Sequence, residues 1–361
     1  MTEFNIDGLL TQLVKKNVSD VHLVLGEAPA CRLDGKLVKT TMPSLTKEQL
    51  LSISNKVLPK NAFSNIDNLY DYDFLYEIKG VSRFRGNFAR TSDAPSFVFR
   101  VVPYSIPTME QCGLPVILKN LAKYSNGLVL VTGPTGSGKS TTLASILEYI
   151  NLNYAKHIIT AEDPIEFIYQ GKKSVFKQRQ IGIDTPRFPD AIKYALRQDP
   201  DIILVGEIRD KDTASEALKA AETGHLVFST LHTTDAVQTI SRIINFFEPY
   251  EREEVKTQIA EVLRCSIAQK LLPKKSGSGR VPALEIMTSS VTIRDYILKD
   301  ELLSIYDLIS NSTTEDMVSL NNCLMKLLQQ DIITEEVALE ASENKNELRL
   351  MLQGTFHGAF N

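Results

Sequence analysis

The run Gly133–Thr141, "GPTGSGKST", limits what this chain can fold into more than any other segment. It satisfies G-x-x-x-x-G-K-[ST] without a gap, follows the apolar stretch "LVLVT" and opens the helical pattern "STTLASILEYI". Gly133, Gly136 and Gly138 let the backbone wrap a phosphate with several N–H groups pointing inward, and the helix N-terminus adds positive potential. Pro134, Thr135, Ser137 and Thr141 complete the expected nucleotide-binding loop. Lys139 is spaced to reach the β- and γ-phosphates of a nucleotide, and the Ser140 hydroxyl to ligate Mg²⁺. A Gly-rich turn without a ligand would not need strand, Lys-Ser pair and helix in register.

The segments around this loop read as a parallel sheet. Short apolar runs, "GLVLVTG", "HIITAE", "DIILVGE" and "HLVFST", alternate with helix-length stretches, and such runs imply strands covered on both faces. From about residue 290 the pattern is helical, with Leu320, Leu324, Leu327 and Leu328 at helical spacing. "PKKSGSGRVP" reads as a flexible loop or hairpin tip.

Residues 1–102 have mixed α+β character. Ile6, Leu9, Leu10, Leu13 and Val14 form one face of a helix, "VHLVL" is a strand, and Asp34-Gly35 marks a hairpin. Thr46 and Gln49 form a capping box opening a helix through about Val57. "DYDFLYEI" alternates as a half-buried strand, and "SRFRGNF" and "SFVFRVV" follow it. Pro103, Pro107 and Pro115 then punctuate an expected linker over 103–116, leaving 117–361 as the second domain.

Composition removes several function classes. With 43% hydrophobic and 23% charged residues the chain buries a core and is not disordered. A net charge of -4 argues against a nucleic-acid partner held on a general basic face. No apolar run approaches the ~18 residues of a membrane span, and the N-terminus lacks the apolar core of a secretory signal. Cys31, Cys112, Cys265 and Cys323 form no Cys-x-x-Cys pair, so neither a zinc ribbon nor a disulfide frame is expected, and the cytosol is the expected compartment.

Parallel-sheet enzymes place their chemistry at the carboxyl ends of strands. "DIILVGEIRD" ends at Glu207, suited to hold Mg²⁺ through water or to orient an attacking water, and "HIITAEDPIEF" brings Glu162, Asp163 and Glu166 within five residues. Such acids also cap helices. "TGHLVFSTLHTTDA" places His225 before a strand and His232 just after it; His232, among threonines, is suited to bond a γ-phosphate or sense its loss, and a structural role is the alternative, more so for His225. Arg85 and Arg100 have two readings: an ion pair inside the first domain with Asp71 or Asp73, or arginines donated to a triphosphate across a domain or subunit interface.

The segments "GPTGSGKSTT", "ITAEDPIEF", "LRQDPDIILVGEIRD" and "TGHLVFSTLHTTDA", in this order, resemble the Walker A, Asp, Walker B and His boxes of the secretion ATPases of type IV pili and type II secretion. The stretches "VSDVHLVLGEAPACRLDGKL", "VSRFRGNFAR", "FVFRVVP" and "SLNNCLMKLLQQDIITEEVALEAS" are similar to the pilus-retraction branch, and the resemblance runs to about residue 345. The Cys-x-x-Cys zinc element of the extension and secretion branches is not present, and at this length their additional N-terminal domain is not expected. The resemblance implies a PAS-like first domain and a RecA-like second domain, an ATP- and Mg²⁺-dependent homohexamer, and a motor for pilus retraction. It also implies a cytoplasmic place at the inner face of the membrane and an inner-membrane platform protein as partner, with a paralogous retraction ATPase as a further one. Its alternatives are an accessory subunit with dispensable hydrolysis and an ATPase for assembly or secretion of a related filament. By the same resemblance Lys139 and Ser140 bind phosphate and Mg²⁺ and Glu166 is the general base. Glu207 is the Walker B acid, His225 and His232 form the His box, and Arg85 and Arg100 reach the nucleotide. Where the branch carries a segment like "AIRNLIRE", this chain has "TIRDYILKD" over 292–300, with Leu298 replacing the second arginine.

Overall fold

The computed structural model describes residues 4–16, 18–33, 35–91, 94–102, 105–312, 314 and 316–354. They fall into two compact units, one up to Ser105 and one from Ile106 onward.

The first unit runs α1 (Ile6–Val14), β1 (Asp20–Leu23), β2 (Ala30–Leu33), β3 (Lys36–Lys39), α2 (Lys47–Val57), α3 (Lys60–Ser64), β4 (Asp71–Ile78), β5 (Ser82–Thr91) and β6 (Ala94–Val102). Its strands form one antiparallel sheet in the order β3-β2-β1-β6-β5-β4. Ile6, Leu9, Leu10 and Leu13 bury one face of α1, and Thr46 and Gln49 close the capping box of α2. The β2–β3 turn holds Gly35 at φ +80°, a left-handed conformation that favours glycine; Asp34 lies outside the described residues. β3, at the sheet edge, is exposed along its whole length.

Phe74, Phe84, Phe88, Phe97 and Phe99 are buried together, mostly edge-to-face. Phe97 and Phe99 fix which side of β6 faces inward. Arg100 therefore lies on the other side of the strand from the two phenylalanines and is exposed. Gly86 sits across from Phe74 in register, and the ring occupies the space a side chain would take.

The second unit contains β7 (Gly127–Thr132), α4 (Lys139–Asn153), β8 (His157–Glu162), β9 (Val175–Gln180), α5 (Phe188–Ala195), β10 (Ile202–Val205), α6 (Lys211–Glu222), β11 (Leu226–Leu231), α7 (Ala236–Ile244) and α8 (Arg252–Val262). A hairpin, β12 (Leu263–Pro273) and β13 (Arg280–Thr288), comes next. Among the described residues five helices follow: α9 (Val291–Leu298), α10 (Leu302–Ser310), α11 (Leu320–Gln329), α12 (Glu335–Ala341) and α13 (Lys345–Leu352). The sheet order is β13-β12-β7-β11-β10-β8-β9, parallel except for β13. Alternate residues of the central strands enter two separate cores, Leu128, Leu130 and Val205 in one and Val129, Val131 and Leu204 in the other. The sheet is thus covered on both sides, as its continuous apolar runs require.

Residues 106–115, read from sequence as linker, contribute Met109 and Leu114 to the second of these cores. Their prolines break regular structure without exposing the apolar side chains between them. Pro103 lies outside the described residues. In the divergent 292–300 segment, α9 buries Ile293 and Ile297 while Leu298 is exposed.

The Gly86–Phe74 contact gives a stability test. A Cβ at position 86 would lie 2.2 Å from Phe74 Cζ, and overpacking of this kind costs about 1–3 kcal/mol. Gly86→Ala is expected to lower the midpoint of thermal unfolding, while Asn87→Ala, on the outer face of the same strand, leaves it nearly unchanged.

Candidate functional site

The phosphate loop connects β7 to α4 and is held from behind by β12. Gly133 has φ +140°, and a Cβ there would meet the Gln269 carbonyl oxygen at 2.3 Å. Gln269 Nε2 donates to the Ser137 carbonyl at 2.7 Å, and its Oε1 accepts from Thr142 Oγ1 at 2.7 Å. One buried side chain thereby fixes the loop to the first turn of the helix. Lys139 Nζ donates to the carbonyls of Gly133 at 2.7 Å and Pro134 at 3.1 Å, folding back over the loop. Burial holds its pKa below the ordinary lysine value, while Glu207 and Glu166 favour the charged form. Ser140 is exposed in the first turn of α4, with its hydroxyl open to a ligand.

Three strand ends carry the other polar groups. From the phosphate loop outward the order is β7, β11 with His232, β10 with Glu207, and β8 with Glu162 through Glu166. Glu207 is largely buried; it pairs with Arg209 and lies 3.2 Å from His232 Nε2. Thr230 Oγ1 donates to the Gly206 carbonyl at 2.7 Å, and the Ile208 N–H to the Thr230 carbonyl at 3.1 Å. These bonds fix the Glu207 turn beside β11. Arg209 also reaches Asp163 at 3.6 Å, so one guanidinium links the Glu207 and Asp163 turns.

Glu162 and Glu166 are four residues apart and differ in environment. Glu162 is buried at the end of β8; its carboxylate accepts from Thr160 Oγ1 at 2.6 Å and Gln178 Nε2 at 3.1 Å. Burial raises its pKa, opposed by these bonds and by the Glu166 backbone N–H. Glu162 thus shapes the turn, and Glu166, exposed, is the carboxylate that turn presents.

The histidines separate. His225 sits at the amino end of β11, where its Nδ1 lies 3.1 Å from the Ala220 carbonyl. Leu226 pairs with Gly127 and Leu231 with Thr132. A strand of this length, at about 3.3 Å per residue, therefore puts His225 roughly 20 Å from the phosphate loop of its own chain. Only His232 joins the strand-end cluster.

In the first unit, Arg85 and Arg100 are directly opposite each other on β5 and β6, on the outer face of the sheet. Arg100 Nε donates to Asp20 Oδ1 at 2.8 Å, a pairing that lowers the Asp20 pKa against its desolvation. For Arg100 the anion is on β1, not Asp71 or Asp73 on β4.

Sequence reasoning missed Gln269 and Arg209. A glutamine interrupting the apolar run "SIAQKLL" was the available sign of the first; the second is an ordinary charge until the turns assemble. A cavity of about 470 Å³ adjoins Pro134–Ser137, closed on the other side by Leu271, Leu272, Pro273, Arg280 and Val337. Among the described residues no group of three or more His, Cys, Asp or Glu side chains is arranged to hold a metal ion.

A phosphate loop at one strand end, with carboxylates and a histidine at its neighbours, defines a P-loop nucleotide-binding protein. The chain belongs to the family described as Type II/IV secretion system protein, which matches residues 2–337. It is 41% identical to the type IV pilus retraction ATPase PilT of Pseudomonas aeruginosa, over 94% of this chain and 98% of the relative. It is 38% identical to a twitching motility protein of Neisseria gonorrhoeae, over 89% and 86%. A crystal structure of the pilus retraction motor PilT with bound ADP superposes with a TM-score of 0.90, at 41% identity, over 96% of this chain and 99% of that one.

The Gln269 bridge generates a binding test. A lost buried hydrogen bond costs about 1–3 kcal/mol when a partner is left unsatisfied. Gln269→Ala is expected to weaken ADP binding, measured by calorimetry, by about fivefold or more. Unchanged affinity would mean that the loop holds its shape without β12.

Proposed function

We propose that this chain is an ATP-hydrolysing motor that drives retraction of a type IV pilus. The observation that carries the reading is the convergence, on adjacent strand ends, of the phosphate loop, His232, Glu207 and the Glu166 turn, in a chain related over nearly its full length to a retraction ATPase. In this reading Gly133–Thr141 cradles the phosphates and Lys139 leaves its two carbonyl partners for the β- and γ-oxygens. Glu166 accepts the proton of the attacking water, and His232 bonds the γ-phosphate while Glu207 fixes its ring. The exposed Ser140 hydroxyl and the Glu207 carboxylate, the latter through water, fit Mg²⁺, which supplies charge neutralisation on the phosphates when bound. The cavity beside Pro134–Ser137 offers room for the nucleoside.

The chain would act as a homohexamer, with Arg85 and Arg100 reaching the nucleotide in the assembled ring. No helix among the described residues is long and apolar enough to cross a membrane. Attachment at the cytoplasmic face would then come through the pilus platform protein, with a paralogous retraction ATPase as a further partner.

Three measurements test this reading. Glu166→Gln is expected to slow single-turnover hydrolysis by roughly 10²–10⁴-fold, the usual worth of a general base, with ATP binding retained. Glu207→Gln should alter the Mg²⁺ dependence as well. Normal turnover in the first variant, with the second inactive at unchanged Mg²⁺ dependence, would exchange the two roles. Turnover per chain should also rise with protein concentration as rings form, and Arg85→Ala or Arg100→Ala should reduce turnover far more than ATP affinity. A concentration-independent, fully active monomer would rule out the composite site. In cells, a null strain should carry long, abundant pili without twitching; short or absent pili would favour an assembly role.

A further inference from the structure

The loop bearing His232 runs directly into α7, and the start of that helix is tied to distant parts of the chain. Asp235 caps α7, its Oδ1 accepting from the Gln238 N–H at 2.6 Å. The same oxygen accepts from the Tyr306 hydroxyl on α10 at 2.5 Å. Thr233 Oγ1 lies 2.7 Å from Thr239 Oγ1, so the loop and the helix behind it form one piece. One residue further on, the Ala236 N–H donates to Glu285 Oε1 at 2.8 Å.

Glu285 lies on β13 and is only 8% exposed. The backbone N–H of Leu320, the first residue of α11, faces the same carboxylate and favours its charged form. The segment before α11 is laid against the same strand, Ile286 and Val318 exchanging backbone hydrogen bonds of 2.8 and 2.9 Å. Asn321, next along α11, donates to Glu347 Oε2 at 2.7 Å and accepts from Ser342 Oγ at 2.7 Å, fastening α11 to the last helices. One buried carboxylate therefore joins the first N–H of two helices, one following the His232 loop and one opening the C-terminal layer. Helix N-termini carry partial positive charge, which favours a carboxylate between them. A glutamine in its place has a single acceptor oxygen. Burial, with Asp235 beside it, pushes the Glu285 pKa up to about 7 against the pull of the two N–H groups. Simple filling of this space would not call for an acid.

We propose that Glu285 is a positioning residue for hydrolysis, clamping the start of α7 to the start of α11 so that the His232 loop takes its geometry from the C-terminal helices. This rests on the reading of His232 as a phosphate contact. A displacement of α11 then moves His232 relative to Glu207, and strain on the C-terminal layer becomes a change in turnover.

The test is a double-mutant cycle on the full-length, ring-forming protein, reading kcat and KM for ATP with Glu285→Ala, His232→Ala and the double variant. Glu285→Ala is expected to lower kcat about fivefold or more with KM changed less than twofold, and Glu285→Gln to fall between it and the parent. In the His232→Ala background the Glu285 change should alter kcat less than twofold. An undiminished effect in that background, or an unaltered kcat in Glu285→Ala itself, overturns the clamp and leaves the His232 reading standing. A parental kcat in His232→Ala overturns that reading, and the clamp with it. Should Glu285→Ala fail to assemble, Glu285→Gln carries the same cycle. Amide hydrogen exchange over residues 232–240 must then be faster than in the parent; equal protection there overturns the clamp.

Discussion

Four parallel strands, β7, β11, β10 and β8, are hydrogen-bonded in a register that brings their carboxyl ends side by side. Thr132 pairs with Leu231, Ser229 with Val205, and Val205 with Ala161. Each strand then turns within one or two residues of its last pair, so the phosphate loop, His232, Glu207 and the Glu162 turn leave the sheet at neighbouring points. The strands are buried on both faces, and slipping any one by a residue would exchange its two sets of core side chains. The apolar cores therefore fix the geometry of polar groups they never touch.

Where charge is buried near these strand ends, it is given hydrogen-bond partners. Lys139 has two carbonyls, Glu162 a hydroxyl and an amide, and Glu285 the first N–H of α7. The cost of burying them unpaired would be several kcal/mol each. The β12–β13 hairpin supplies much of this support. Gln269 on one strand holds the phosphate loop, and Glu285 on the next holds the helix after His232, so a single hairpin backs both halves of the site.

The parts legible in the sequence were those in which spacing carries the chemistry. Lys139 and its glycines are fixed by the loop they must form, and the short apolar runs gave the central strands. β12 and β13 were less visible, because Leu263 follows α8 without a breaker and both faces of the hairpin are buried, so no alternation marks them. On β6 the inward face is set by Phe97 and Phe99, which leaves Arg100 outward, where Asp20 on β1 meets it. His225 and His232 look alike as neighbours of one apolar run; only a strand drawn to length shows that they occupy opposite ends. Glu285 resembles any acid in a strand until two helices from distant sequence positions point their first N–H groups at it.

The exposed edge strand β3 has a consequence for a protein read as self-associating. Its sequence is Lys36, Leu37, Val38, Lys39, and all four residues are open to solvent. A longer, uncharged edge would be a template on which the same strand of another molecule could add, sheet to sheet, without limit. Four residues with an ammonium at each end offer too few backbone bonds and too much like-charge repulsion for that. Copies crowded together are thereby steered away from open-ended stacking, leaving association to surfaces that can close on themselves.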